Sequence, residues 1–107
     1  MAGDSISNKS VSVGTRVVQI ANEVLPTQRK FISIINTSTG GQIINISING
    51  DASAGIGIQL SPGGSYSDSA DGNSAYSYFP PYFSMTAVSN LAGGTLAIAE
   101  RIGSEVK

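Results

Sequence analysis

The sequence predicts a single all-β domain, a small antiparallel β-sandwich or jelly-roll-like barrel of seven to eight strands. Three observations predict it. Isoleucine and valine recur at every second position in several short runs, the period of a strand with one face buried. Clusters of Gly, Ser, Asn and Pro interrupt these runs at close and regular spacing. Helix-period stripes are missing, and Ile, Val, Thr and aromatic residues dominate the periodic segments.

The elements follow in chain order. Residues 1–14 are small and polar, with Val11 and Val13 alternating against Ser10 and Ser12, and read as a flexible arm ending in a short strand or docking segment. The sandwich domain is expected over 15–103, followed by a short tail at 104–107. From Thr15 the alternation starts: Val18, Ile20, Asn22 and Val24 share one face, and Leu25-Pro26-Thr27 closes the strand. Arg29 to Asn36 is almost continuously apolar through Phe31, Ile32, Ile34 and Ile35, as in a strand that is central or covered on both faces. Thr37 to Gly41 breaks it as a hairpin turn. Gln42 to Asn49 is the cleanest strand, with Ile44, Ile46 and Ile48 facing one way and Ile43, Asn45, Ser47 and Asn49 the other.

Asn49-Gly50-Asp51 is a turn signal. Ile56, Ile58 and Leu60 form a short strand before the Ser61-Pro62-Gly63-Gly64 turn, with Ser65 to Ser67 expected to pair back onto it. A polar loop then leads to an aromatic stretch from Tyr76 to Phe83 that contains Pro80 and Pro81. Phe83 to Val88 is expected as a strand, Asn90 to Gly94 as a hairpin loop, and Thr95 to Ile102 as the last strand. Connections this short cannot hold crossover helices, so the pairing should be mostly antiparallel.

Composition removes several function classes. The 107 residues hold no cysteine and no histidine, and with them go disulfides, thiol chemistry, imidazole bases and the common zinc or haem ligands. Charged residues make up 12% and the formal net charge is -1. No Lys or Arg occurs between Lys30 and Arg101. Nucleic-acid affinity comes largely from basic side chains on phosphates, so no direct nucleic-acid partner is expected. No apolar run reaches the roughly 20 residues of a membrane span, and Met1 to Ile6 lacks the basic start and apolar stretch of a signal peptide. Synthesis in the cytoplasm and no membrane partner are the expectations. So weakly charged a surface is poorly protected against self-association, which suggests a chain partly covered by neighbours.

The chemical inventory is thin. Asp68, Asp71 and Asn73 around Gly72 depart from the alternating acidic ligands of a calcium loop and read as a polar turn. The glycine pairs at 40–41, 63–64 and 93–94 lack the following helix and lysine of a phosphate cradle. Serine is plentiful, but a hydrolase triad in its usual form needs histidine. Neither an enzymatic activity nor a cofactor or metal is expected. In the aromatic stretch, Tyr78 and Tyr82 are the candidates for exposure as interface or sugar-stacking anchors, with Pro80 and Pro81 beside them. The other reading has Tyr76, Phe79 and Phe83 filling the core while the prolines stiffen a loop. The Asn-x-Ser triplets at Asn8, Asn36 and Asn45 carry no weight without a secretion signal.

Four segments resemble a known pattern. They are Arg29-Lys30-Phe31-Ile32-Ser33-Ile34-Ile35-Asn36-Thr37-Ser38, Ile44-Asn45-Ile46-Ser47-Ile48, Gly57-Ile58-Gln59-Leu60-Ser61-Pro62-Gly63-Gly64-Ser65, and Leu96-Ala97-Ile98-Ala99-Glu100. Together, over roughly Arg16 to Arg101, they resemble small virion proteins of tailed bacteriophages, with an R-x-x-I-x-I-x-N-x-S strand, an isoleucine-rich strand, a G-x-x-L-x-P-G turn and a last strand near an acidic residue. The resemblance implies a decoration, or cement, protein on the outer face of a phage capsid. It would be β-sandwich or jelly-roll-like, often a homotrimer, and would bridge subunits of the major capsid protein. The arm, Met1 to Val13, would then reach onto capsid subunits or an adjacent protomer, making Ile6, Val11 and Val13 interface candidates. The alternatives are a carbohydrate- or receptor-binding module of a phage fibre using the aromatic stretch, and a head-to-tail or tail component.

Overall fold

The computed structural model describes residues 5–24, 28–69 and 82–103. These form eight strands: β1 Ser5–Val13, β2 Val18–Ala21, β3 Arg29–Asn36, β4 Ile44–Ile48, β5 Ile58–Leu60, β6 Ser65–Ser69, β7 Met85–Ser89 and β8 Gly94–Ile102. Two four-stranded sheets result, sheet A in the order β1-β8-β3-β6 and sheet B in the order β2-β7-β4-β5. Every pairing is antiparallel. Eight strands that cross between the two sheets at every connection except β4 to β5 make a jelly-roll sandwich, within the all-β architectures the sequence predicts.

The core lies between the sheets. Sheet A contributes Val13, Ile32, Ile34, Leu96 and Ile98, and sheet B contributes Ile20, Ala21, Ile44, Ile46, Leu60, Met85 and Ala87. Period-two alternation sends these side chains inward, and burying each large aliphatic one contributes about 1.5–3 kcal/mol. The close approach of β1 to β8 requires a glycine, since a Cβ on Gly94 would stand 2.6 Å from the Val13 carbonyl oxygen.

Several local expectations change. The 37–41 and 90–94 segments are not hairpin turns but crossings from one sheet to the other, and only β4 and β5 pair as consecutive strands. Likewise β6 pairs with β3, not with β5. Turn residues mark where a strand stops, and both a hairpin and a crossing need them. β3 is central in its sheet, as expected, but one of its faces is open: Phe31 and Ile35 are exposed while Ile32 and Ile34 are fully buried. β2 is only four residues long, and a register shift between Gln19 and Ala21 brings Ile20 and Ala21 both into the core. The segment read as an arm contains β1, which is in register with β8 from Ser5↔Ile102 to Val13↔Gly94.

Two polar pins hold the ends of the sandwich. At one end a register shift between Arg29 and Phe31 turns Arg29 inward, where it is fully buried. Its guanidinium donates to Glu100 Oε2 at 2.6 Å, to the Asn22 carbonyl at 2.6 Å and to the Phe83 carbonyl at 3.2 Å. At the other end the buried Asn36 amide donates to the Gln42 carbonyl at 2.8 Å and the Leu60 carbonyl at 2.9 Å, and its oxygen accepts from Ser38 N at 2.9 Å. Gln42 in turn donates to the Ala92 carbonyl at 2.9 Å, joining the two sheet crossings. Among the described residues no buried side-chain polar atom lacks a partner.

Candidate interaction surface

The two outer faces of the sandwich differ. Over sheet B the 49–57 segment folds back as a cover. Thr86 Oγ1 donates to the Gly50 carbonyl at 2.6 Å and accepts from Ala52 N at 2.8 Å, and Asn45 accepts from Gly55 N at 3.1 Å and donates to the Ile56 carbonyl at 3.3 Å. That cover buries Asn45 on the outward side of β4. The tight return needs Gly57, whose φ is +87° and whose Cβ would meet the Ile46 carbonyl oxygen at 2.7 Å.

Among the described residues sheet A has no such cover, and its register sets the outward side chains in rows across four strands. One row runs Ile6, Arg101, Phe31, Ser69; the next Asn8, Ala99, Ser33, Ser67; the third Ser10, Ala97, Ile35, Ser65. Within these rows Arg101 is the one charged residue. Three of the larger exposed apolar side chains of the described residues stand here: Ile6 at 70% exposure, Ile35 at 38% and Phe31 at 36%. The alanines of β8 leave a shallow depression of about 130 Å³ between Asn8 and Lys9 on one side and Ser33 and Ile35 on the other. The face is therefore a low ridge on β3 beside a trough on β8. Low relief, small side chains and few charges suit the packing of another surface.

β1 bounds this face as an edge strand, paired on one side only. Its first six residues, Ser5 to Ser10, are exposed on both sides, because the shorter strands of sheet B do not extend beneath them. Lys9, paired with Ile98, is its single charge and the one charged guard of this edge against strand addition. The predicted interface residues separate accordingly. Ile6 stands fully on the outer face, Val11 is half-buried against the core, and Val13 is 1% exposed and belongs to the core itself. Tyr82 is half-buried and stacks on Phe83 with ring centroids 4.3 Å apart, while the Tyr82 carbonyl accepts from Val24 N at 2.9 Å. Tyr78, Pro80 and Pro81 lie outside the described residues.

Phe31, Ile35, Ala97 and Ala99 were not singled out by the sequence reading as surface residues. Phe31 and Ile35 were hidden in an apolar run that looked covered on both faces. Their signal lies in the partner strands: β6 offers Ser69 and Ser65 at these rows, and β8 offers Ala97 beside Ile35 and Arg101 beside Phe31. Asp68 of the weighed acidic loop is on β6, where it accepts a 3.4 Å hydrogen bond from the Tyr66 hydroxyl, while Asp71 and Asn73 lie outside the described residues. Burial, then the Asp68 charge and that hydrogen bond, raise the Tyr66 hydroxyl above its usual 10.0. Among the described residues no three Asp or Glu side chains converge as a cation site would need.

No protein-family model matches the chain, and no curated protein matches its sequence. Among solved structures it is similar to a subunit described in work titled "Bacillus endospore appendages form a novel family of disulfide-linked pili", with a TM-score of 0.58 and 15% identity. The match covers 95% of this chain and 88% of that one. At that identity the likeness is one of fold alone.

Proposed function

We propose that this chain is a non-enzymatic structural subunit that acts by packing on other protein surfaces. The observation that carries the reading is the outer face of sheet A, uncovered among the described residues, where Ile6, Phe31 and Ile35 stand exposed among serines and alanines beside the edge strand β1. Many copies on a repeating lattice make modest contacts of this kind collectively persistent. The resemblance of four sequence segments to phage virion proteins supports the outer surface of a phage capsid as the setting, with the major capsid protein as partner. Those segments map onto the pins and core of the jelly roll, so they speak for a shared fold first.

A second reading, a subunit of an extended appendage, is favoured by the fold likeness to the pilus subunit. With no cysteine, this chain could not link copies by disulfides as that family's title describes, so its contacts would be non-covalent throughout. Co-sedimentation separates the readings. Purified chain is mixed with phage capsids lacking it and spun through a density gradient. Migration with the capsids, at a fixed number of copies per shell, supports decoration. Filaments formed by the chain alone favour the appendage. A chain that stays at the top of the gradient and forms no ordered assembly overturns both.

A further inference from the structure

We propose that the outer face of sheet A is the surface on which one copy of this chain packs against a second copy. The inference rests on the assembly reading above and names the partner and the face.

The relief is self-complementary. On neighbouring strands of one face, β3 raises Phe31 and Ile35, while β8 lies low at Ala97 and Ala99. A two-fold axis running along the strands, midway between β8 and β3, sets β8 of each copy over β3 of the other. Row by row, Ile35 then stands over Ala97 of the second copy and Ser33 over Ala99, so a ridge enters a trough twice. The same axis sets Arg101 over Phe31 instead of over a second Arg101, which avoids like-charge contact and brings a cation to an aromatic face.

Size and cover point the same way. With strands about 4.8 Å apart and residues about 3.4 Å apart along them, the face presents roughly 500 Å² per copy. Two copies then bury roughly 1,000 Å², the lower bound of a specific interface before side-chain relief is added. A heterologous partner would need its own matching ridge and trough; a second copy already has both. Among the described residues, the 49–57 segment covers the outer face of sheet B and no segment covers that of sheet A.

Sedimentation velocity of the full chain over a wide concentration range tests this, with two variants. Ala97→Arg places a long charged side chain in the trough; Gln59→Arg makes the same change on the exposed outer side of β5. Reversible association into two copies is expected, weakened at least about tenfold by Ala97→Arg, which would bury an unpaired charge. Gln59→Arg should leave it unchanged. Should Ala97→Arg fail to fold, nitroxides on Ser33→Cys and Gln59→Cys decide, since the chain has no other cysteine to label. A shorter inter-copy distance from Ser33 than from Gln59 supports the face. A single-copy species at all concentrations, a three-copy species, or association indifferent to Ala97→Arg with the label nearer at Gln59 overturns it. Binding to capsids without self-association would leave the assembly reading standing and remove this one alone.

Discussion

Replacing Arg29 by methionine is the sharpest test of how the jelly roll is closed. Methionine keeps much of the apolar stem and donates nothing. The guanidinium is fully buried, Glu100 is 12% exposed, and the pair meet at 2.6 Å. Removing one member of a buried ion pair costs about 3–5 kcal/mol, because the other is left without compensation. In a domain of this size each kcal/mol shifts the melting temperature by about 4–8 °C, so Arg29→Met should melt at least roughly 12 °C lower. Adding Glu100→Leu removes the stranded charge and should recover part of the loss. Full recovery is not expected, since the Asn22 and Phe83 carbonyls still lack their donor, at about 1–3 kcal/mol for each that water does not reach. Urea unfolding followed by circular dichroism measures all three proteins. A loss under about 1 kcal/mol for the single variant, or a double variant as stable as the unmodified chain, would refute the pin as described.

Further outcomes follow from the same geometry. Asn36→Leu should cost at least about 2 kcal/mol in urea unfolding, because the Gln42 and Leu60 carbonyls and the Ser38 amide lose one shared partner. Gly94→Ala should cost about 1–3 kcal/mol by pushing β1 off β8, and hydrogen exchange should rise first in the amides between those strands. Tyr66 binds its proton more tightly folded than unfolded, so its contribution is present below the usual 10.0 and is lost as pH rises through the folded value. The fall in melting temperature above about pH 10 should therefore be shallower in Tyr66→Phe. Ile44→Ala should lose about 2–5 kcal/mol as a core control, whereas Ile6→Ala on the outer face should leave the melting temperature of the isolated chain nearly unchanged.

Much of the fold was legible because burial with a period of two is written directly in the side chains. Ile32 and Ile34, Ile44 and Ile46, Leu96 and Ile98 all face the core as the alternation requires. Strand order was not legible. Thr37 to Gly41 and Asn90 to Gly94 carry the residues of a tight turn, and whether such a turn returns to the same sheet is decided by packing between the sheets. Arg29 shows a second limit: its parity points outward, and only the register shift before Phe31 sends it into the interior.

The Arg29 to Ser38 segment, on which the phage-virion reading rests, gains a physical meaning from the structure. In R-x-x-I-x-I-x-N-x-S, each of the defining residues, Arg29, Ile32, Ile34, Asn36 and Ser38, is buried. Arg29 and Asn36 are the two pins, and Ser38 accepts from Thr95 N at 3.0 Å. The residues between them, Phe31, Ser33 and Ile35, form the outer ridge. A pattern made of buried positions specifies how the domain closes and is silent about what touches its surface. For that reason the motif pointed to a fold while the candidate surface, set between the motif's letters, went unread. By the same logic Val13, paired with Gly94 at the parity of Leu96 and Ile98, is buried in the core.

Cryo-electron microscopy of the assemblies that this chain is proposed to join tests the central claim most directly. The account predicts jelly-roll density at repeating positions, with Phe31, Ile35 and Ala97 covered by a neighbouring protein surface. Particles in which the chain occurs only as isolated copies, with sheet A facing solvent throughout, would contradict it.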